Sequence, residues 1–427
     1  MAVKPKLALI PSGYKASKVY SVLPSDGVGD FDFSRSGQAT RVNEDGLIET
    51  VDSNIPRLNY PMIDGVVSGC PSLLLEPQRT NLVAYSEDFS QWTASDLTVT
   101  DNNAISPDGS LNASKLTLTS GTSVKRIALG SYPTSSASRC YSIFFKTNDI
   151  NSIQLLHSGD LQGYANFDLV NNTVGSAGSK TTSKIENYGN GWFRCTAIFD
   201  NTNAFGSTLY LYIKDNALET YGGSTSEVGD LFIFGAMYEE GSYPTSYIPT
   251  NGSTVTRSAE TCNGSGDANT FNDSEGVLMA EISALANDGT NRRISISDGS
   301  TSDRIVLGYT ASSNQLIVLV SSNSVSGVAS LVNIDNSSQF NKIALKYKLN
   351  DFALWINGIK VLTDNSLNSP IGLNDLSFEG ADNLNPFYGN TKQIQYFDTA
   401  LTDTDLETLT SWTSFNEMAQ GQLYTIQ

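Results

Sequence analysis

The feature that most constrains this fold is a period of two. From residue 81 onward, apolar and polar residues alternate in runs of strand length, and Gly, Asn, Asp or Ser bounds nearly every run. In LYLYIK, Leu209, Leu211 and Ile213 fall on one face, and Tyr210, Tyr212 and Lys214 on the other. In WFRCTAIF the apolar face is Phe193, Cys195, Ala197 and Phe199. KIALKYKL puts Ile343, Leu345, Tyr347 and Leu349 inward and Lys342, Lys346 and Lys348 outward. Successive strand side chains point to opposite faces, so such runs bury one side of a sheet. ALWI-NG-IKVL adds a local signal, because Asn357-Gly358 between apolar strands calls for a type I′ hairpin. The expected fold class is therefore all-β.

The runs form two groups. Residues 81–262 hold about eight or nine strands, including KLTLTS, CYSIFFKTND, IQLLHS, ANFDLV and DLFIFGAMYEE, which suggests an antiparallel jelly-roll sandwich. The proline- and glycine-rich stretch YEEGSYPTSYIPTNGSTVTRSAETCNGSGD closes it. Residues 263–427 read as a second antiparallel sandwich ending near a helix in TALTDTDLETLTSW, capped by Thr402 or Asp403. Ahead of both, residues 31–80 carry Pro56, Pro61, Pro71 and Pro77 and the turns SRSG and NEDG, the pattern of an extended connector with short strands in LIETV and SLLLE. Residues 1–30 alternate LALI and VYSVL with Pro, Gly and Ser. That fits an anchoring arm that orders against a partner and fits a disordered tail equally well.

Charge narrows the partners. The 427 residues carry a net charge of −18 with a pI near 4.4, so phosphate backbones and anionic membranes are repelled. Neutral glycans, held by hydrogen bonds and ring stacking, stay open. No run approaches the ~20 apolar residues of a membrane span, and MAVKPKLALIPSGYK lacks the pattern of a signal peptide.

Catalytic chemistry is sparse. The sole histidine, His157, reads as a strand-end residue at a turn, and no G-x-S-x-G elbow is present. Glu239 and Glu240 are adjacent, so along a strand they point to opposite faces, which argues against a catalytic pair within one strand and leaves open pairs of carboxylates brought together from elsewhere in the chain. Cys70, Cys140, Cys195 and Cys262 share no metal spacing; three pairings are open, and buried free thiols are the favoured reading. SDGSTSDR offers Asp298 and Asp303 as Ca²⁺ ligands, although Asx-rich turns arise for backbone reasons alone. Tyr210, Tyr212 and Lys214 on one face, with Tyr221 on the next loop, are the candidate sugar-binding residues. The competing reading packs that face against a neighbouring sheet or another copy.

Three segments carry a resemblance. FDFSRSGQATRVNEDGLIETVDSNIPRLNYP and CPSLLLEPQRTNLVAYSEDF, within residues 31–89, resemble a segment of bacteriophage head-spike and tail-fibre proteins. FGAMYEEGSYPTSYIPTNGSTVTR is similar to the close of a carbohydrate-binding-module-like jelly roll in such proteins. About residues 271–415, through ALWINGIKVL and YFDTALTDTDLETL, resemble laminin-G and concanavalin A-like lectin sandwiches, which often hold calcium. The resemblance implies a non-enzymatic virion protein, made in the host cytoplasm and displayed on the virion surface. It would be attached to capsid or tail through its N-terminal arm, homotrimeric, and adhesive towards host-surface or environmental polysaccharide. The alternatives are a polysaccharide-degrading enzyme with a concanavalin-like cleft and a purely structural decoration protein. No cofactor beyond calcium is implied.

Overall fold

The computed structural model of the chain describes residues 4–147, 149–200 and 205–412. It is all-β, with two antiparallel sandwiches and one α-helix among the described residues.

The first sandwich packs two six-stranded sheets. One runs, edge to edge, Thr93–Ser95, Arg126–Ser131, Thr208–Lys214, Ser152–His157, Tyr164–Asp168 and Thr173–Ala177. The other runs Leu97–Ile105, Leu111–Leu118, Gly229–Glu240, Arg139–Thr147, Phe193–Phe199 and Thr181–Asn187. The chain crosses repeatedly from sheet to sheet, which is jelly-roll connectivity. Leu211, Ile213, Cys195, Ala197 and Phe199, all 0% exposed, fill the space between. This is the face the alternation assigned, except that Phe193 at the strand start is only half-buried.

The second sandwich packs an eight-stranded sheet on a five-stranded one. The larger runs Ile359–Asp364, Phe352–Ile356, Asn341–Lys348, Glu275–Ala284, Gly389–Phe397, Ser72–Leu75 and Arg57–Asn59, with Leu7–Leu9 also on Gly389–Phe397. The hairpin turns at Asn357-Gly358 with φ of +50° and +85°, pairing Ile356 with Ile359. Thr402 caps the helix Asp403–Thr410 by accepting from Asp405 N–H, and the Asp405 carboxylate returns to the Thr402 N–H.

The segment before residue 80 is neither arm nor connector, which corrects both expectations. Leu7–Leu9 pairs antiparallel with Gly389–Phe397 (Leu7 opposite Tyr396), and Ser72–Leu75 pairs further along that strand (Leu73 opposite Thr391). Leu7, Leu9, Leu73 and Leu75 are at most 1% exposed in the second core. At about 1.5–3 kcal/mol per buried leucine, this edge is fastened firmly. Phe31–Ser34 likewise pairs with Thr261–Asn263, and Phe31 and Phe33 enter the same core.

The division at residues 262/263 is corrected for the same reason. The second sandwich is assembled from residues on both sides of the jelly roll, and the jelly roll is an insertion within it. The chain leaves through Arg79–Asn81 and returns through Val255–Arg257, and these form a two-stranded ribbon with Arg79 opposite Arg257. Residues 413–427 of the expected second unit lie outside the described residues, as do residues 1–3 of the expected arm.

Two details depart from simple alternation. Leu349 is 59% exposed because the strand ends at Lys348 and turns at Asn350, φ +56°. Lys342 and Lys346 are buried because the outer face of the sheet carries its own apolar layer, Val277, Met279, Ala344 and Trp355, under Leu406 of the helix.

The jelly roll has one covered and one open outer face. The hairpin Ala39–Val42/Ile48–Val51 lies over the covered one, where Ile48 packs with Phe144, Trp192, Phe234 and Met237. The open face is the outer side of the sheet that contains Thr208–Lys214.

Candidate functional site

Strand register builds the open face in rows. Tyr210 lies opposite Leu156, and Leu156 opposite Tyr164, so an apolar-aromatic row crosses three strands. The next row sets Arg126, Tyr212, Gln154 and Asn166 side by side. Tyr210 and Tyr212 meet at 5.7 Å between ring centroids. The Arg126 guanidinium lies 4.6 Å from the Tyr210 ring centre and 5.4 Å from that of Tyr212, and donates to the Tyr212 hydroxyl. Tyr221 comes edge-on to Tyr164 at 6.3 Å. Tyr210 and Tyr221 are half-buried, whereas Tyr164 and Tyr212 are 9% and 7% exposed. Burial pushes the Tyr221 phenol up.

Lys214 joins the cluster but plays a different part from the one expected. It is 1% exposed, and its Nζ donates to the Gly222 carbonyl and pairs with Glu219 at 2.6 Å. Gln154 donates to the Thr220 carbonyl and accepts from Gly222 N–H, and Asn166 donates to the Glu219 carbonyl. These buried groups, fully partnered, tie the loop after the strand down onto the sheet, where Tyr221 meets Tyr164. Lys214 thus supports the face instead of charging it. Sequence reasoning missed Arg126 and Tyr164; the alternation of KRIALG and YANF already places both on the outward side.

The result is two half-buried tyrosines at the rim of a buried outer layer of Leu156, Tyr164 and Tyr212, with a guanidinium stacked on it. Such rings stack on the apolar faces of sugars, and a desolvated Arg–Tyr contact fixes their orientation.

Asp298 and Asp303 are not brought into one ligand set. Asp298 accepts from the Ser300 N–H and hydroxyl in an Asx turn. Asp303, buried, accepts from Asn323 N–H and Ile371 N–H, and Asp273 accepts from Gly372 and Leu373 N–H. Backbone donors converge on these carboxylates and fasten the loop before Leu373. Among the described residues no group of three or more His, Cys, Asp or Glu is placed to hold a metal ion.

The remaining reactive groups are packed away. His157 is 0% exposed, its Nε2 lies 3.1 Å from the Tyr238 hydroxyl, Phe199 and Phe205 flank it, and burial holds its pKa down at about 4. Glu239 is buried and accepts from the Thr245 N–H and hydroxyl, while Glu240 faces outward. All four cysteines are free; Cys140, Cys195 and Cys262 are buried, and burial raises their thiol pKa values.

A buried ionic cluster sits where the ribbon joins the second sandwich. Arg35 donates to Glu260 at 2.8 Å, and Arg57 donates to both Glu260 oxygens and to Glu76 at 2.6 Å. Arg257 pairs with Glu76 at 2.9 Å, and Glu76 also accepts from Ser246 N–H and hydroxyl. The flanking guanidinium groups of Arg257 and Arg57 overcome the burial of Glu76 and hold its pKa at about 2.

No family model matches the chain, and no curated protein is similar to it at a significant level. Several solved structures are similar to the chain at a low level. The CBM40 of a Ruminococcus gnavus IT-sialidase bound to α2,3-sialyllactose is 15% identical over 34% of this chain and 86% of that one, with a TM-score of 0.30. Domains LG4-5 of the mouse laminin α1 chain are 9% identical over 79% of this chain and 96% of that one, TM-score 0.23. A Trypanosoma rangeli sialidase in complex with sialic acid is 11% identical over 93% of this chain and 78% of that one, TM-score 0.27.

Proposed function

We propose that the chain is a non-enzymatic, glycan-binding surface protein of a bacteriophage particle. The observation that carries the glycan half is this outer jelly-roll face, where half-buried Tyr210 stands under the Arg126 guanidinium and half-buried Tyr221 stands edge-on to Tyr164. Its charges are paired or stacked, which suits a neutral sugar better than an ionic ligand. The burial of His157 and Glu239 supports a binding role over a hydrolytic one.

The virion half rests on the resemblance of residues 31–89 to head-spike and tail-fibre segments. Attachment to capsid or tail then uses a surface of the folded second sandwich, because Leu7–Leu9 and Ser72–Leu75 are sheet strands. Trimerisation belongs to the same proposal.

A glycan array probed with the purified chain and with Tyr210→Ala tests the first half. Binding retained in full by Tyr210→Ala removes the face from the proposal. Immunogold labelling of intact particles and sedimentation of the purified chain test the second half, with an unlabelled particle or a monomer as the opposing results.

A further inference from the structure

Between the two sandwiches lies a crevice that plays no part in the tyrosine face. It has two lobes, of about 420 and 700 Å³, which share Lys184 and Tyr188 on the jelly-roll wall and Ser338 and Asn390 on the wall of the second sandwich. Sites for small ligands occupy roughly 300–1,000 Å³ and favour domain interfaces.

Both ends of the crevice are fixed. One abuts the buried ionic cluster, since Glu76 and Ser246 line the smaller lobe. At the other, turns from the two units touch backbone to backbone. A Cβ on Gly189 would lie 2.4 Å from the Gly65 carbonyl oxygen, and one on Gly65 would lie 2.9 Å from the Gly189 Cα. The crevice is therefore preformed, and occupying it requires little reorganisation.

The lining chemistry selects the ligand. Lys184 and Glu186 pair at 2.8 Å, Arg41 pairs with Glu49, Glu76 is satisfied by Arg57 and Arg257, and the buried Arg194 donates to the Thr245 carbonyl and the Ser142 hydroxyl, so these charged groups are engaged by partners inside the protein. Asn59 and Asn390 each commit the amide oxygen internally, to Val42 N–H and to the Ser72 hydroxyl, and keep the NH₂ as the donor at the wall. Tyr188, half-buried and edge-on to Phe144 at 4.9 Å, supplies a ring held in place. Amide donors, hydroxyls and a fixed aromatic ring without free charge are what a polyhydroxylated, uncharged ligand requires.

We infer that the crevice between the two sandwiches is a second binding site, for a neutral oligosaccharide several sugars long. The inference takes its ligand class from the proposed glycan-binding function and places a further site away from Tyr210.

Isothermal titration of the full chain with maltohexaose, cellohexaose, xylohexaose and chitohexaose tests it. Ser338→Trp and Lys184→Trp each place an indole in the crevice, from opposite walls. The Lys184 side chain is 56% exposed, so its replacement leaves the fold intact, as a matching thermal melt verifies. The expected result is that at least one hexaose binds and that both indole variants weaken it tenfold or more. Tyr210→Ala is expected to leave that component unchanged. A hexaose that binds both indole variants as it binds the parent chain overturns the crevice site, and if Tyr210→Ala alone abolishes binding the tyrosine face stands by itself. No binding of any hexaose by the parent chain also overturns the crevice site, while the face remains decided by the array.

Discussion

Glu260→Gln is the substitution that most directly probes how the inserted jelly roll is fastened. The Glu260 carboxylate accepts from Arg35, twice from Arg57, and from Glu76 N–H, in a site where both arginine side chains are 0% exposed. Neutralising it leaves two guanidinium groups without their shared counter-charge and turns an amide NH₂ towards donors. Breaking one partner of a buried ion pair costs about 3–5 kcal/mol. For a unit of this size each kcal/mol moves the midpoint by about 2–4 °C, so the second sandwich should melt about 6–20 °C lower. Differential scanning calorimetry reads the shift, and Glu49→Gln is the control. Glu49 pairs with Arg41 at 2.8 Å but its side chain is 41% exposed, and such pairs contribute about 0–1 kcal/mol. A Glu260→Gln shift no larger than that of Glu49→Gln refutes the reading of the cluster as the fastening of the junction.

Three further outcomes are expected. Glu76 is held at about 2 against 4.5 for the free side chain, so its contribution is complete above pH 4.5 and is lost as pH falls towards 2; the shift corresponds to about 3 kcal/mol and should show as acid unfolding of the second sandwich in a circular-dichroism pH titration. His157 shifts the opposite way for a base, from 6.5 to about 4, so the unfolded chain binds the extra proton between those values and jelly-roll stability falls as pH drops through that window; in His157→Leu, urea titrations at pH 7 and pH 5 should lose that difference. Gly189→Ala, at φ +76° and facing the Gly65 carbonyl, should destabilise the chain by about 1–3 kcal/mol, read as a lower urea midpoint at unchanged slope.

Local signals in the sequence located what is locally determined. Asn357-Gly358 adopts the two positive φ angles its hairpin demands, Thr402 caps its helix, and Glu239 and Glu240 part to opposite faces. Tyr210, Tyr212 and Tyr221 do gather on one face, since alternation and a short loop place them there. What escaped has its cause far along the chain. LALI and SLLLE read the same whether solvated or paired, and only Gly389–Phe397 decides that they are interior strands. The role of Lys214 depended on a loop that returns Glu219 and Gly222 to it. Lys342 and Lys346 read as solvent-facing until the helix and Trp355 covered their side of the sheet.

The insertion of one sandwich inside the other also sets an order of events during synthesis. Domains tend to fold as they emerge from the ribosome, N-terminal first. Here the jelly roll is complete once Val255–Arg257 has been made, whereas Leu7–Leu9, Phe31–Ser34 and Ser72–Leu75 must await partners translated later. Early apolar strands therefore keep an edge unpaired while an entire domain folds beside them, even where an early neighbour such as Arg57–Asn59 is already made. Closing the second sandwich joins segments far apart in sequence, the kind of contact that forms slowly. A nascent chain halted once residue 257 has cleared the ribosome should hold a folded jelly roll and protease-sensitive early strands, and the early strands are where a chaperone would bind.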